Sequence, residues 1–539
     1  MKLKYSTYAK NILLPCLGLS AITGAVTGSL IFLFKLACTA VMELSEGIYE
    51  FVRQNPVYLP LLVLGALVIG YLSTLLLKYE PSCRGGGIPT AIAILRGLIT
   101  FRWLRNLFCI FTSAMMTYLC AVPLGTEGPS VQMGTAVGSG TVHLLAKSNH
   151  AWDRYIMTGG ACAGFACATG APLSGIFFAF EDAHRRFSPM IFLSAATAVF
   201  SGFAVAEFLR SLSGISLSLF HLDHIETLSP RYIWIGITVG IICGMVAILF
   251  TKIYQLFLKP NKKSALRKWT WIKIPVIFAT VALIGSASDS LIGTGHSLIE
   301  VLLEGHGIWY LLLLYLAIRA ILWIFSTTSG ITGGLFIPSL AFGALIGALI
   351  ATALTSLGWI PQDYYALIVT IGMASFLSAL SRTPITAIAF SIEVLGGFSN
   401  ILLMITGVTF AYLTIEISSV TAFSEAVIES KEKAANEGRY AEVIDEHVTV
   451  QDGAFAIDKE IRDILWPPTC TILSIQRNPR YPASGDGTIH PGDILHLHYR
   501  SYDTKGTRSL IESIVGKQEL DPEVRVRVVD QDHQTPKLD

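Results

Sequence analysis

The chain has 539 residues, of which 52% are hydrophobic and only 14% charged, with a mean hydropathy of +0.58. A soluble protein carries about 25% charged residues, so this composition excludes one and indicates a polytopic α-helical membrane protein. The net charge of +1 gives no sign of a nucleic-acid or acidic partner.

At the N-terminus, Lys2, Lys4 and Lys10 precede an apolar run from Ile12 to Phe34. No small-residue cleavage site follows, so a retained first helix is expected rather than a signal peptide. Further runs are Leu59 to Leu77, Ile191 to Leu209, Ile233 to Phe250, Tyr310 to Phe325 and Ile401 to Ile417. Each approaches or exceeds the roughly 17–25 residues that cross a bilayer. Other apolar runs are broken by Gly and Pro, so the helices outnumber the clean runs. The N-terminal lysines and the cluster Lys259, Lys262, Lys263, Arg267 and Lys268 favour the cytoplasmic side. The nine cysteines are scattered, without metal-ligand spacing, and read as buried structural thiols.

Gly85-Gly86-Gly87-Ile88-Pro89 comes first among the motifs. Gly125-Thr126-Glu127-Gly128-Pro129-Ser130 follows, with Gly134 and Gly138. That skeleton returns, 209 residues on, as Gly334-Leu335-Phe336-Ile337-Pro338-Ser339 with Gly343 and Gly347. A second set repeats at an offset of 212: Gly160, Ala171-Pro172-Leu173, Phe178 and Glu181 match Gly372, Thr383-Pro384-Ile385, Phe390 and Glu393. Two related halves, about 50–210 and 230–420, are expected, with a transport site at their interface. Whether the halves are inverted cannot be read from the repeat itself.

Each Gly/Pro motif is a loop feeding a helix. Proline suits the first turn, where its missing N–H costs nothing. Glycine lets backbone approach a ligand closely. Helix N-termini offer unpaired N–H groups and the positive dipole end, so they bind anions. Three of them would hold a desolvated anion without the grip of a full cation, which leaves it free to exit. Any one motif alone reads better as helix packing; three together favour an anion site.

Glu127 lies where such an anion would sit. An ionised carboxylate in hydrocarbon is expensive, and an acid there is a functional candidate. As a tethered anion it would compete for the site, and protonation would release it. Capping alone would not need an acid. Glu181 and Glu393 are repeat-related acids near helix ends and read as structural, satisfied by neighbouring donors. Asp182 has no acidic mate, since Val394 lies 212 residues on, so it is the candidate for cytoplasmic proton uptake. An exposed acid beside Arg185 and Arg186 is the competing reading.

Composition turns polar near residue 425, at Glu429-Ser430-Lys431-Glu432-Lys433. A small α+β domain follows, with strands expected at Cys470 to Ile475 and Ile494 to Tyr499. Pro491-Gly492-Asp493 makes a turn and Ser509 to Val515 a short helix. His496 and His498 share one strand face; without a third ligand they read as a solvated face rather than a metal site. Frayed residues are expected from about Gln531.

These motifs resemble those of the CLC family of chloride channels and chloride/proton antiporters, over about residues 10–425. The family's Gly-Ser-Gly-Ile-Pro, Gly-(Lys/Arg)-Glu-Gly-Pro and Gly-(Ile/Leu)-Phe-x-Pro stand here as Gly85 to Pro89, Gly125 to Pro129 and Gly334 to Pro338. The resemblance implies a homodimer of two inverted halves of short tilted helices, with one anion pathway per subunit. It implies that Glu127 gates and carries protons on the outer side, and that Asp182 transfers them on the inner side. Anion binding would then fall to Gly86, Ile88, Leu335, Phe336 and Phe423. Gly85, Gly87, Pro89, Gly125, Thr126, Gly128, Pro129, Gly334, Ile337 and Pro338 would complete the filter motifs.

Three residues depart from the family pattern. Gly86 replaces a serine, Phe423 a tyrosine and Thr126 a basic residue. Two neutral donors are lost, at roughly 0.5–1.5 kcal/mol each, which puts the usual anion selectivity in question. The tail, about 448–516, resembles the TrkA-C lobe of potassium-conductance regulators, which dimerises and can bind small ligands. Residues 426–447 would link it to the membrane domain, with a tail at 517–539.

The expected protein is thus an inner-membrane chloride/proton antiporter. It would be multi-pass and homodimeric, with cytoplasmic termini, no cofactor and no metal. A passive channel of the same fold is the alternative. An enzyme using Glu127 and Asp182 would need a nucleophile or metal ligands, and no His/Cys cluster or HExxH-type motif appears. A cation carrier would want carbonyls and carboxylates at its site.

Overall fold

The computed structural model describes residues 13–529 apart from 86, 147–149, 215–219, 221–226, 259–269, 306, 397–398, 478–480, 483–485 and 519–524. The N-terminal lysines, the basic cluster after residue 258, Gly86 and the segment from Gln531 therefore lie outside the described residues.

Helix α1 spans Leu14–Gln54, running well past the apolar stretch that ends at Phe34. At about 1.5 Å per residue its 41 residues exceed the hydrocarbon thickness, so it must tilt or project from the bilayer. The first half continues with α2 (Leu59–Tyr79), α3 (Ile88–Leu95), α4 (Trp103–Leu119), α5 (Glu127–Leu145), α6 (Asp153–Thr169), α7 (Pro172–Phe178) and α8 (Pro189–Ser213). The second half holds α9 (Ile233–Leu258), α10 (Thr270–Gly285), α11 (His296–Leu303), α12 (Trp309–Ser329), α13 (Phe336–Ser356), α14 (Tyr365–Ser381), α15 (Pro384–Glu393) and α16 (Ile401–Ile417).

From α2 to α8, each helix starts 206 to 212 residues before its mate in the second half. The first half also begins earlier than residue 50, because α1 belongs to it. Helix α1 packs on α8 and α6 just as α9 packs on α16 and α14. Seven helices among the described residues are long and apolar enough to cross a membrane, so this is a multi-pass membrane protein. Two of them, α13 and α14, are not among the clean apolar runs of the sequence. They lie largely inside the protein, and their glycines serve packing.

That packing is backbone on backbone. A Cβ at Gly134 of α5 would overlap the Gly160 carbonyl of α6, and the reverse holds. Gly343 of α13 and Gly372 of α14 repeat the same crossing in the second half. Close helix approach through small residues is how membrane helices associate without a hydrophobic drive. Gly160→Ala and Gly372→Ala should each cost about 1–3 kcal/mol of overpacking. Both should melt earlier in detergent than Gly47→Ala, whose Cβ meets nothing within 4 Å. Equal melting of all three would refute this packing account.

Helix α17 (Phe423–Ala435) follows the second half, and the C-terminal domain starts at once with β1 (Ala441–Thr449). The stretch 426–447, expected as a linker, is mostly α17 and β1. The domain adds β2 (Thr471–Gln476), β3 (Tyr481–Pro482), β4 (Ile494–Ser501), α18 (Thr504–Val515) and β5 (Arg525–Val529). Its antiparallel sheet has the order β3-β2-β4-β1-β5, so the expected tail at 517–539 supplies an edge strand. Helix α18 begins five residues ahead of the expected Ser509, capped by Asp503, which accepts from the Gly506 N–H.

Strand β4 buries Leu495, Leu497 and Tyr499 and turns His496 and His498 to the other face. There His498 Nδ1 meets Asp445 Oδ1 at 2.7 Å and His496 stacks on His447. No group of three metal-ligating side chains forms among the described residues. Eight cysteines are buried, whereas Cys470 is half-buried.

Candidate functional site

The two repeated motifs touch each other. Gly125 N–H donates to the Gly334 carbonyl at 2.8 Å, and Gly334 N–H donates to the Gly125 carbonyl at 2.5 Å. This antiparallel bridge joins repeat-equivalent residues, which is what a two-fold axis between the halves produces. Helices α5 and α13 start on either side of it, at Glu127 and Phe336.

Helix α3 joins them. A Cβ on Gly128 would lie 2.7 Å from Gly334 Cα and 3.2 Å from Gly87 Cα. Three helix N-termini therefore meet with no side chain between their glycines. Gly85 and Gly87 have φ of +67° and +50°, a region L side chains avoid, so the turn into α3 needs them. Pro89, Pro129 and Pro338 are buried in the first turns of α3, α5 and α13. The unpaired N–H groups of those turns and the aligned dipoles make a place for an anion.

Glu127 is fully buried at the head of α5. Its Oε1 accepts from Thr126 Oγ1 at 3.0 Å. Its Oε2 has no hydrogen-bond partner among the described residues. That oxygen lies over Gly125, only 2.5 Å from where a Cβ there would be. A buried acceptor without a well-aligned donor costs about 1–3 kcal/mol, and this carboxylate faces the backbone N–H groups of Glu127 and Ile337 at the heads of α5 and α13. The Phe336 ring packs edge-on to Phe165 and Phe390, at 5.2 and 4.9 Å. Leu335 and Ile88 are half-buried, and Ile337 is buried beside Phe336.

Phe423 is the first residue of α17 and is buried, its ring 4.3 Å from that of Tyr254 on α9. A tyrosine thus stands beside the phenylalanine that lacks a hydroxyl. The sequence reading missed it, because nothing in the α9 pattern marks one aromatic among many. It also missed two lysines. Lys431 Nζ donates to the Arg84 carbonyl, next to Gly85. Lys35, within α1, donates to Ala168 O at 2.9 Å, in the last turn of α6. A third Gly pair was legible and overlooked. Gly293 and Gly295, with φ of +69° and +102°, precede α11 as Gly85 and Gly87 precede α3. There the buried Arg319 binds the carbonyls of Ser290, Ile292 and Gly293, so the second copy is filled by a cation.

Asp182 is 7% exposed and sits in a π-helical turn, Ala179–Ala183, that ends α7. The exposed-acid reading therefore fails on burial. Arg185 and Arg186 do flank it in sequence, but Arg185 turns to Glu425 at 3.3 Å and Arg186 to the Ile464 carbonyl at 3.0 Å.

The matched acids Glu181 and Glu393 cap each other's halves. Glu181 accepts from Ile385 N and Thr386 N at the start of α15, at 2.8 and 2.7 Å. Glu393 accepts from Leu173 N and Ser174 N at the start of α7, at 2.6 and 3.0 Å. Each carboxylate satisfies orphan N–H groups and the helix dipole. Glu393→Ala should destabilise the protein by about 1–2 kcal/mol. Glu181→Ala should do the same in thermal melts. A wild-type melting temperature in both would contradict the reciprocal capping.

A family model described as "Voltage gated chloride channel" matches residues 65–416. The H(+)/Cl(-) exchange transporter ClcA of Cronobacter sakazakii is 28% identical over 445 residues, covering 79% of this chain and 93% of its own. The ClcA of Citrobacter koseri is 28% identical over 395 residues, covering 72% and 82%. Among solved structures, a slow cyanobacterial Cl-/H+ antiporter superposes with a TM-score of 0.72 at 23% identity, over 79% of this chain and 99% of that one. A CLC-type fluoride/proton antiporter gives 0.61 at 21% identity, over 76% and 98%. At these identities the two structures speak to fold.

Proposed function

The chain belongs to the voltage gated chloride channel family, and from that premise we propose that it exchanges chloride, or a similar anion, for protons across the membrane. The observation that carries this reading is Glu127 itself. A buried carboxylate with one unpartnered oxygen sits where three helix N-termini converge. Ionised, it fills the place an anion would take. Protonated, it loses its attraction to those dipoles and leaves the place to chloride. One side chain then alternates between blocking the anion and carrying a proton.

Asp182 is the inner proton donor and acceptor in this scheme. The backbone N–H groups of Leu335, Phe336 and Ile88 hold the anion, with Gly85, Gly87, Gly128 and Gly334 clearing the space. Gly86 stands between Gly85 and Gly87 in the sequence, and the Tyr254 ring packs on Phe423 where the family pattern has a hydroxyl. The decisive experiment is flux in vesicles under crossed chloride and proton gradients. An exchanger drives protons uphill on a chloride gradient. Chloride flow without proton movement would instead establish a passive channel.

The protein works, on this reading, as a homodimer in the inner membrane, with cytoplasmic termini. Exposed Leu173, Phe177 and Ile385 beside the reciprocal caps suit a second copy. The C-terminal domain is a regulatory lobe. What supports this is its grip on α6, whose Arg154 also holds the end of α3. Arg154 of α6 donates to Leu95 O, the last residue of α3, at 2.6 Å, and to Trp466 O of the lobe at 2.6 Å. Tyr155 donates to Asp463 O at 2.7 Å and accepts from Leu465 N at 3.0 Å.

A further inference from the structure

Arg96 immediately follows α3 and is not part of any motif. Its guanidinium makes three contacts to two other elements. Nε donates to Ala183 O at 2.8 Å and Nη2 to Asp182 O at 3.0 Å. Nη1 pairs with Glu425 Oε1 at 2.7 Å. Glu425 lies in the first turn of α17, two residues after Phe423, and also receives Arg185.

Those two carbonyls belong to the end of the π-helical turn, where backbone acceptors lack intrahelical partners. A planar fork of donors satisfies both at once and fixes the direction in which the turn presents its side chains. Helix α3 has 8 residues and so is about 12 Å long. Its first turn stands at the convergence of the three N-termini, and its C-cap is Arg96. One short rigid helix therefore runs from the anion position to the backbone of Asp182. Arg154 clamps the same helix end through Leu95 O.

We infer that Arg96 is a positioning residue that couples proton transfer at Asp182 to the anion-bearing helix α3. It touches neither ion. It holds the Asp182 turn in register with α3 and α17, so that the acid faces the path its proton takes only while the anion helix is seated. This inference rests on the exchange reading above and on the role of Asp182 within it.

The test is paired proton and chloride flux in vesicles for Arg96→Gln, Arg96→Lys and Asp182→Asn. Losing two or more charge-assisted bonds should cut proton flux by roughly tenfold or more in Arg96→Gln. Chloride flux should fall far less, so the proton-to-chloride ratio drops. Arg96→Lys keeps the charge but not the fork, and its ratio should lie between glutamine and wild type. A wild-type ratio in Arg96→Gln, with both fluxes lowered together, would overturn the inference and leave a purely structural arginine. If glutamine prevents folding, Arg96→Lys decides alone: a lowered ratio supports coupling and an unchanged one overturns it. Asp182→Asn separates the premise, because wild-type proton flux there removes the inner-acid role whatever Arg96 does.

Discussion

Glu127→Gln should reduce proton flux to the leak of empty vesicles while chloride continues to flow. The amide is close in shape to the acid but cannot take up and release a proton. It also carries no charge to hold it against the N-termini of α3, α5 and α13. The wild-type carboxylate is fully buried, with Oε2 unpartnered. Its place is therefore kept by its charge against the dipoles and N–H groups of those helix heads, with one side-chain hydrogen bond from Thr126. Removing the charge should free that place for an anion, so chloride binding measured by calorimetry should hold or tighten. Proton movement at an unchanged ratio to chloride would end the gate assignment. Loss of both fluxes together would point to Glu127 as a packing residue.

Asp182→Asn should have the next largest effect, a fall in proton flux of at least tenfold with chloride flux within about twofold of wild type. Since tenfold corresponds to about 1.4 kcal/mol, this asks for a modest loss at one step. The two effects separate because Asp182 lies in the turn that ends α7, whereas the bridge between Gly125 and Gly334 joins the loops that open α5 and α13. The backbone carbonyl that Arg96 uses survives the substitution. The fold of the turn should survive as well. Equal loss of both fluxes would assign Asp182 a structural role.

The fold was legible where the backbone makes local demands. Gly85, Gly87 and the prolines that open α3, α5 and α13 had to sit in turns feeding helices. The repeat spacing located both halves, though α1 escaped because it carries none of the repeated motifs. Helices α13 and α14 are apolar enough to span, but Pro338 and the small and polar residues at their packed faces break up their apolar runs. For Glu181 and Glu393 the sequence suggested neighbouring donors but not which ones, since each donor lies more than two hundred residues away. Arg96 and Tyr254 had no local mark at all, and Lys431 read only as part of a polar stretch.

Sequence by itself determined a membrane protein of two related halves, with three Gly/Pro turns and one unmatched pair of acids, Glu127 and Asp182. These follow from apolar content, φ preference and repeat spacing, which act within a few residues of chain. Tertiary structure alone decided that Gly125 meets Gly334, that the halves cap one another, and that Arg96 joins α3 to the Asp182 turn. Such contacts depend on which buried donor finds which buried acceptor. That choice is made only when the helices pack, because an unpaired polar group inside the protein costs more than any local preference supplies.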